Sequence, residues 1–272
     1  MTMTTKTRGL LAATAFALAA PLAAASPGAL KPFTADYQAS YQGVEAKGRM
    51  TLAAAGPNRW RYTLDISNSL ANLKQSTVFE ERDGQWRPLS GDDRSTVLVK
   101  KVNKAATYDW SRGVASWSGD VKPERAGPVK LQAGDVDALL MNLALVRDVA
   151  AGKPLKYRMV DDGRVKPMNY SVAGKESVQV GGQAQQATKL VSTNGDRQTI
   201  IWVVDGMPVP ARIQQREDGR ATIDLRVQSV NNNEHAIQML RSRRVDAAYG
   251  SNLGLFGAAR GLGVRSDRFE II

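Results

Sequence analysis

Cysteine is absent from all 272 residues of this chain, and the absence excludes several kinds of protein at once. Without thiols there is no disulfide framework, no thiolate nucleophile and no zinc site built on cysteine. The lipid-modified cysteine that tethers many exported bacterial proteins is absent as well. The chain must therefore fold on its apolar core alone, and about 200 residues can bury enough surface for that.

Side chains suited to catalysis are scarce. His235 is the only histidine and lies outside the predicted core, so a Ser-His-Asp arrangement cannot be built there. Gly261-Leu262-Gly263 lacks the rest of a phosphate-binding loop. Asp92-Asp93 and Asp161-Asp162 are adjacent on strands, where neighbouring side chains point to opposite faces. Neither pair therefore indicates a shared proton or a metal site.

These patterns predict a chain that is not an enzyme and that has no catalytic residue, cofactor or metal. A periplasmic hydrolase that uses two separated carboxylates stays open as a third interpretation, because spacing along the sequence does not exclude it.

Long apolar runs are missing except near the N-terminus. Lys6 and Arg8 precede an apolar run from Leu10 to Leu22, which is shorter than the roughly 20 residues of a membrane-spanning helix. Ala23-Ala24-Ala25 then supplies the small residues that a signal peptidase recognises. We therefore predict a signal peptide over residues 1–25, cleavage after Ala25 and a periplasmic protein. A retained N-terminal anchor is the alternative.

Positive charge is in excess, since 37 Lys and Arg against 26 Asp and Glu give a net charge of +11. For an exported chain we expect no nucleic-acid partner. Anionic envelope lipids or polysaccharides match a basic surface better, through transient contact with a membrane. Alternatively, the cations only cover exposed strand faces and edges, where they discourage pairing between sheets. The absence of a long run of like charge favours this second interpretation.

Period-two alternation dominates from Phe33 onward and predicts half-buried strands. In the strand Gln198–Val204, the residues from Ile200 to Val204 are apolar on both faces, which predicts a central strand or one beneath a helix. Ser95–Val102 reads as one uninterrupted strand. Asp-Gly or Asn-Gly dipeptides, which favour tight hairpins because they tolerate positive φ, occur at residues 83–84, 162–163, 194–195, 205–206 and 218–219. The fold class is therefore all-β and mainly antiparallel.

One helical pattern interrupts the strands, over residues 135–152. Asp135 is a suitable N-cap, Gly152 a suitable C-terminal stop, and Pro154 prevents continuation. The helix is apolar over most of its circumference, whereas a helix on the outside of a sheet needs only one apolar stripe. We predict one domain over residues 26–230, a strongly curved meander sheet or half-barrel wrapping this helix. Residues 231–272 are predicted to form a mobile or partly helical tail.

Two interpretations of the helix remain. It completes the core as packing, or it lines a cavity for an apolar ligand with the concave face of the sheet. Helical apolar patterns are usually core, which favours the first. Arg147 lies at the edge of the apolar arc, and its side chain has three possible environments. It extends to water, it pairs with a carboxylate, or it binds the acidic head group of a ligand at the mouth of a cavity. The candidate ligand-binding residues are Tyr37, Trp60, Tyr62, Leu139, Leu143, Val146, Arg147 and Trp202.

Three segments resemble an exported bacterial family known as domain of unknown function 3108. These are Phe33–Tyr41, the helix start Asp135–Leu140, and Trp202 followed by Pro208-Val209-Pro210-Ala211-Arg212-Ile213. The resemblance extends from Phe33 to about Val230. It implies a periplasmic antiparallel β protein without an assigned activity. The curved sheet with an inserted helix is also similar to the outer-membrane lipoprotein carriers, a likeness of fold that transfers no function.

The leading functional hypothesis is a monomeric, non-catalytic periplasmic binding or carrier domain for a lipid or another apolar ligand. The alternative is an envelope interaction or assembly factor that holds a protein or a polysaccharide through its sheet edges and basic surface.

Overall fold

A computed structural model describes residues 30–231 of the chain. The predicted signal peptide and the predicted tail from residue 232 onward lie outside the described residues.

Fifteen strands and one α-helix make up this part of the chain. The bounds are β1 Phe33–Tyr41, β2 Val44–Gly56, β3 Arg59–Ser67, β4 Ala71–Arg82, β5 Gln85–Val97, β6 Lys100–Asp109, β7 Val114–Gly119, β8 Val129–Lys130, α1 Ala138–Ala150, β9 Lys156–Asp161, β10 Arg164–Asn169, β11 Ser171–Val180, β12 Gln183–Asn194, β13 Arg197–Val204, β14 Arg212–Glu217 and β15 Arg220–Asn231.

Thirteen strands form one open antiparallel sheet that curves around the helix. Its order is β11-β12-β13-β14-β15-β1-β2-β3-β4-β5-β6-β7-β8, so β1 pairs with β15 on one side and with β2 on the other. The remaining hairpin, β9–β10, forms a separate two-stranded sheet joined to the segment before the helix. The predicted fold class, a curved antiparallel sheet around one inserted helix, is confirmed.

The alternation of the sequence determines which face of each strand is buried. In β1, Phe33, Ala35, Tyr37 and Ala39 are buried and face the helix, while the residues between them are partly or fully exposed. In β13 the residues from Ile200 to Val204 are all buried, as expected for a strand covered on both faces.

Tight turns account for most of the meander. Both residues of Asp83-Gly84, Asp162-Gly163 and Asp218-Gly219 have positive φ, the conformation that their composition predicts. At Asn194-Gly195 the turn residues are instead Gly195 and Asp196, because Asn194 still pairs with Arg197.

The prediction of one strand over Ser95–Val102 is wrong. β5 ends at Val97, β6 begins at Lys100, and Leu98-Val99 forms the turn. The residues on either side of this hairpin tip alternate without a break. No glycine marks the turn, and Leu98 itself adopts a φ of 53°.

The helix is shorter than the pattern predicted. It begins at Ala138, and Asp137 rather than Asp135 is the N-cap, accepting a hydrogen bond from the Leu140 N–H at 2.7 Å. Asp135 lies before the helix, where Val136 bridges to β9 and fixes an extended backbone. The helix ends at Ala150, and Gly152 follows with a φ of 61°, the left-handed conformation typical of a C-terminal stop.

The core lies between the helix and the concave face of the sheet. Leu140 and Leu145 are fully buried, and Leu139, Met141, Leu143 and Ala144 nearly so, which confirms an internal helix. A smaller cluster at the other end of the sheet joins β6 and β7 to β9; its buried members are Ala106, Tyr108, Ala115, Trp117, Leu131 and Val160.

Leu140→Ala tests this packing. Because Leu140 is fully buried, removing its side chain leaves a cavity, and we expect the free energy of unfolding to fall by about 2–5 kcal/mol in chemical denaturation. Val172→Ala is the control, since Val172 is 62% exposed and its removal creates no cavity. Equal losses in the two variants would contradict an internal helix.

Candidate functional site

A cleft of about 290 Å³ opens where the helix begins and the concave face of the sheet is not covered. Strands β4, β5, β6 and β7 form one side, and α1 with the β9–β10 hairpin forms the other. Its lining is Gln75, Ser76, Thr77, Gly91, Asp92, Asp93, Lys104, Ala105, Ala106, Tyr108, Trp117, Asp137, Ala138, Leu139, Asp161, Asp162 and Arg164. Five of these residues are aspartates, in a chain whose net charge is +11.

Asp137 is the most deeply buried of these carboxyl groups, with 4% of its surface exposed. One oxygen, Oδ1, caps the helix, and the other accepts a hydrogen bond from the Thr77 hydroxyl of β4 at 2.7 Å. Burial raises the pKa of Asp137 from 3.8 to about 7, and the nearby Asp161 carboxylate adds to the rise. Asp137 therefore changes protonation state near neutral pH, while most carboxyl groups are fully ionised there.

Asp161, at the end of β9, is the second perturbed carboxyl group. Burial raises its pKa, and the carboxylates of Asp162 and Asp93 raise it further. Within residues 30–231 neither Asp161 nor Asp93 forms an ion pair. The cleft therefore contains negative charge that the described part of the chain does not neutralise.

Asp162 differs from its neighbour because it attracts all the cations around the cleft. Lys104 lies 3.1 Å from it, Arg125 2.6 Å and Arg164 3.3 Å. Burial opposes ionisation of Asp162, but the hydrogen bonds and charges of Lys104 and Arg125 outweigh it and hold its pKa below the usual value. The ion pairs of these cations are thus with Asp162, although the charge of Lys104 also lowers the pKa of Asp161.

Two aromatic residues line the sheet side of the cleft. Tyr108 and Trp117 meet edge to face with ring centroids 6.1 Å apart. The Tyr108 hydroxyl donates to the Val160 carbonyl at 3.1 Å. The indole N–H of Trp117 is buried and has no acceptor. A buried donor without a partner is costly, so this N–H is suited to an acceptor that the chain itself does not supply.

The sequence-predicted ligand residues lie mainly elsewhere. Leu139 alone lines the cleft. Tyr37, Tyr62, Leu143 and Trp202 are buried in the main core, and Trp60 and Val146 are partly buried against it. The Tyr37 hydroxyl donates to the Pro210 carbonyl at 2.6 Å, and the Trp202 N–H donates to Glu176 at 2.8 Å. These side chains fill the core instead of lining a cavity, and their contact with a ligand stays a prediction.

Arg147 has a structural environment of its own. Its guanidinium group pairs with the buried Asp148 at 2.8 Å and covers the Trp86 ring at 4.2 Å from the ring centroid. The Tyr157 hydroxyl also donates a hydrogen bond to Asp148 at 2.9 Å. The arginine is therefore paired with a carboxylate, one of the outcomes that the sequence left open.

Sequence reasoning missed Asp93, Asp137 and Asp161 as a group. Within each adjacent pair, Asp92-Asp93 and Asp161-Asp162, neighbouring side chains do point apart. The group instead combines β5, the helix N-cap and the end of β9. The available signal was the Asp135-Val136-Asp137 pattern at the helix start, where the second aspartate is the cap.

A larger groove of about 520 Å³ lies on the opposite, solvent-facing side of β2 to β5. Most of its cations are paired with carboxylates of the same face, as in Arg49–Asp36 at 2.7 Å and Arg94–Asp92 at 3.3 Å. Residues 30–231 contain no group of three or more His, Cys, Asp or Glu placed to hold a metal ion. Among the same residues no helix is long and apolar enough to span a membrane.

The architecture defines an open, curved antiparallel β protein with one internal helix and an acidic cleft at the start of that helix. The chain belongs to the family described as protein of unknown function (DUF3108), whose profile matches residues 36–226. This confirms the family resemblance stated from the sequence. No curated protein matches the chain.

Several solved structures are distantly similar. A β-barrel-like protein of domain of unknown function DUF1849 from Brucella abortus shares 14% identity, with 74% of this chain and 97% of that chain covered and a TM-score of 0.46. MucB shares 10% identity, with 74% and 52% covered and a TM-score of 0.32. The Pseudomonas aeruginosa MucA/MucB complex gives 11% identity, 74% and 51% covered, and a TM-score of 0.33. This chain spans about half of the length of the two MucB matches.

Asp137→Asn tests the buried carboxyl group. Because its pKa is raised on folding, the folded wild type binds more protons than the unfolded chain between pH 3.8 and about 7, so its stability falls as pH rises through that window. Asparagine still caps the helix but does not titrate. We measure the free energy of unfolding in urea at each pH. Across this window it should fall by on the order of 1–3 kcal/mol less in the variant than in the wild type.

The control for this measurement is Asp65→Asn, which removes the same charge from the solvent-facing groove. It should leave the wild-type decline intact. A decline of unchanged size in Asp137→Asn would show that Asp137 is not the group that titrates.

Proposed function

We propose that this chain is a non-catalytic binding protein of the periplasm, and that the cleft at the helix N-terminus holds the ammonium group of a small amphipathic molecule. The observation that carries the proposal is the combination of three carboxyl groups without an ion pair within residues 30–231, of which Asp137 is buried, with an aromatic wall. The rest of the concave face is filled by the helix.

The charge of the cleft favours a cation. Asp93, Asp137 and Asp161 line it, and the cations nearby are held by Asp162. Burial is the main cause of the raised pKa of Asp137 and Asp161, and repulsion from neighbouring carboxylates adds to it; a positive charge in the cleft relieves that repulsion. A ligand ammonium therefore has an electrostatic reason to bind where a ligand carboxylate or phosphate does not.

The aromatic side chains add a second preference for the same group. Trp117 and Tyr108 present ring surface next to the carboxylates, and an ammonium over an aromatic ring gains further attraction. The free Trp117 N–H suits an oxygen acceptor on the same ligand. An amine that carries an oxygen a few bonds away, as in an ethanolamine group, combines the two features.

The volume of the cleft limits which ligands it can hold. Pockets for drug-sized molecules measure about 300–1,000 Å³, so a cleft of about 290 Å³ is at the small end. It accommodates a head group, while an acyl chain would remain outside. This narrows the hypothesis drawn from the sequence, in which an apolar ligand lay between the helix and the sheet.

The compartment is proposed from the N-terminal sequence. Lys6 and Arg8, the apolar run from Leu10 to Leu22 and the following alanines are typical of a signal peptide. The proposed absence of catalysis rests on the role of Asp137, whose two oxygens are engaged by the helix and by Thr77. A carboxyl group held in this way is a structural and electrostatic element of a binding site.

Calorimetric titration of the full chain with ethanolamine, and separately with phosphatidylethanolamine in micelles, tests the proposal. We expect binding that tightens as pH rises through 7, because the carboxyl groups must be ionised to attract the ammonium. Asp161→Asn should weaken binding about tenfold or more, since it removes a charged partner. Asp65→Asn, which removes the same charge from the opposite face, should bind like the wild type.

The two ligands distinguish the source of the amine. Binding of ethanolamine alone indicates a free amine, and binding only of the phospholipid indicates a lipid head group. No binding of either, or equal binding by wild type and Asp161→Asn, would overturn the proposal.

A further inference from the structure

Large apolar side chains are exposed at one end of the sheet, away from the cleft. The turn between β5 and β6 exposes Val97, Leu98 and Val99 by 54%, 68% and 94%, and the neighbouring turn between β3 and β4 exposes Leu70 by 59%. The two turns are joined, because the Leu98 N–H donates to the Leu70 carbonyl at 2.9 Å. We call these four residues the apolar tip.

A third turn extends the same surface. Tyr41 and Val44 flank the turn between β1 and β2 and are 60% and 54% exposed. The pairing register places all three turns at the same end of the sheet, since Gln38, Lys47, Ser67, Asn72, Thr96 and Lys101 form one continuous row across it. Six of the eight large hydrophobic residues exposed within residues 30–231 therefore lie together.

The backbone of the apolar tip is unusual for its side chains. The turns at Asp83-Gly84, Asp162-Gly163 and Asp218-Gly219 pair an aspartate and a glycine, which adopt positive φ at low cost. At the tip Leu98 adopts a φ of 53° instead. A bulky residue in that region is strained, and asparagine or glycine at residue 98 would relieve the strain and expose less apolar surface. Such a departure from the better turn sequence indicates a use for the exposed side chains.

Unpaired positive charge lies beside the turn between β5 and β6. Residues 94–104 contain no carboxylate, and two of their four cations, Arg94 and Lys104, pair with Asp92 and Asp162. At the same end of the sheet, Glu45 follows Val44 beside the turn between β1 and β2. Lys100 and Lys101 directly follow the tip, are exposed, and form no ion pair with another residue of 30–231. Apolar side chains beside free lysines match the boundary between acyl chains and anionic head groups.

We propose that the apolar tip docks this protein on the surface of an anionic phospholipid bilayer, with Leu98 and Val99 entering the acyl boundary and Lys100 and Lys101 at the head groups. The proposal does not depend on the cleft or its ligand. Its elements are the exposure of the tip, the strained apolar turn and the two exposed lysines that follow it, unpaired within residues 30–231.

Flotation of the full chain with vesicles tests the docking. We expect the wild type to bind vesicles of equimolar phosphatidylglycerol and phosphatidylethanolamine, and to lose binding on pure phosphatidylcholine or at high salt. The double variant Leu98→Asn, Val99→Gly should bind at least about tenfold more weakly than the wild type, because two apolar side chains no longer enter the bilayer. It should be about as stable as the wild type in urea, since asparagine tolerates the positive φ of residue 98 and Val99 is exposed.

The control is Val172→Asn, because Val172 is similarly exposed but lies on β11, outside the row of turns. It should bind like the wild type. All variants share identical termini, so any affinity of residues 1–29 or 232–272 for vesicles is common to them. Equal binding by wild type and the Asn-Gly variant, or no binding by the wild type, would overturn the proposal.

A labelling experiment reports on the tip directly. Because the chain has no cysteine, Val99→Cys or Val172→Cys introduces a single site for an environment-sensitive fluorophore. On the anionic vesicles the label at residue 99 should shift to the blue and be quenched by spin-labelled lipid, while the label at residue 172 should not. No change at residue 99, or a change caused by self-association without vesicles, would assign the tip to another role and reject the docking.

Discussion

The buried hydrogen bond between the Thr77 hydroxyl and the Asp137 carboxyl joins the only α-helix of the described residues to the sheet around it. The same carboxyl group caps the helix, so one side chain sets where the helix begins and how close that end comes to β4. Beyond this point the helix fills the concave face with leucine side chains. Before it, the chain turns away to pair with β9, and the space between becomes the cleft.

This constraint explains why the site is acidic in a basic protein. A cap must present an oxygen to the helix N–H groups, and at this position it is buried. Asp161 lies at the end of β9, which bridges to Val136 just before the helix. Asp93 lies on β5, the strand that pairs with β4. The cations that could neutralise them are drawn to Asp162 at the hairpin turn, where three of them gather. The family to which the chain belongs has no assigned function, and this cleft supplies a chemical hypothesis for one.

Much of the fold follows from local patterns, and the site does not. Alternation in β1 and the Asp-Gly turns predict strands and hairpins because each depends on a few neighbouring residues. The apolar circumference predicts an internal helix for the same reason. The meeting of Asp93, Asp137 and Asp161 depends on the curvature of the sheet and on which hairpin packs at the helix start, and no local pattern carries that information. The turn at Leu98-Val99 was missed because its composition contradicts its conformation, which is also why it points to a role in docking.

The most direct measurement is the pKa of Asp137 itself, from the ¹³C resonance of its carboxyl carbon in a chain labelled at aspartate, assigned by its loss in Asp137→Asn. The account predicts a titration midpoint near 7, because the group is buried in a bond to Thr77 beside a second carboxyl group. A midpoint near the ordinary value of 3.8 would show a solvated carboxylate. It would contradict both the buried position of the helix N-terminus against β4 and the electrostatic basis of the cleft.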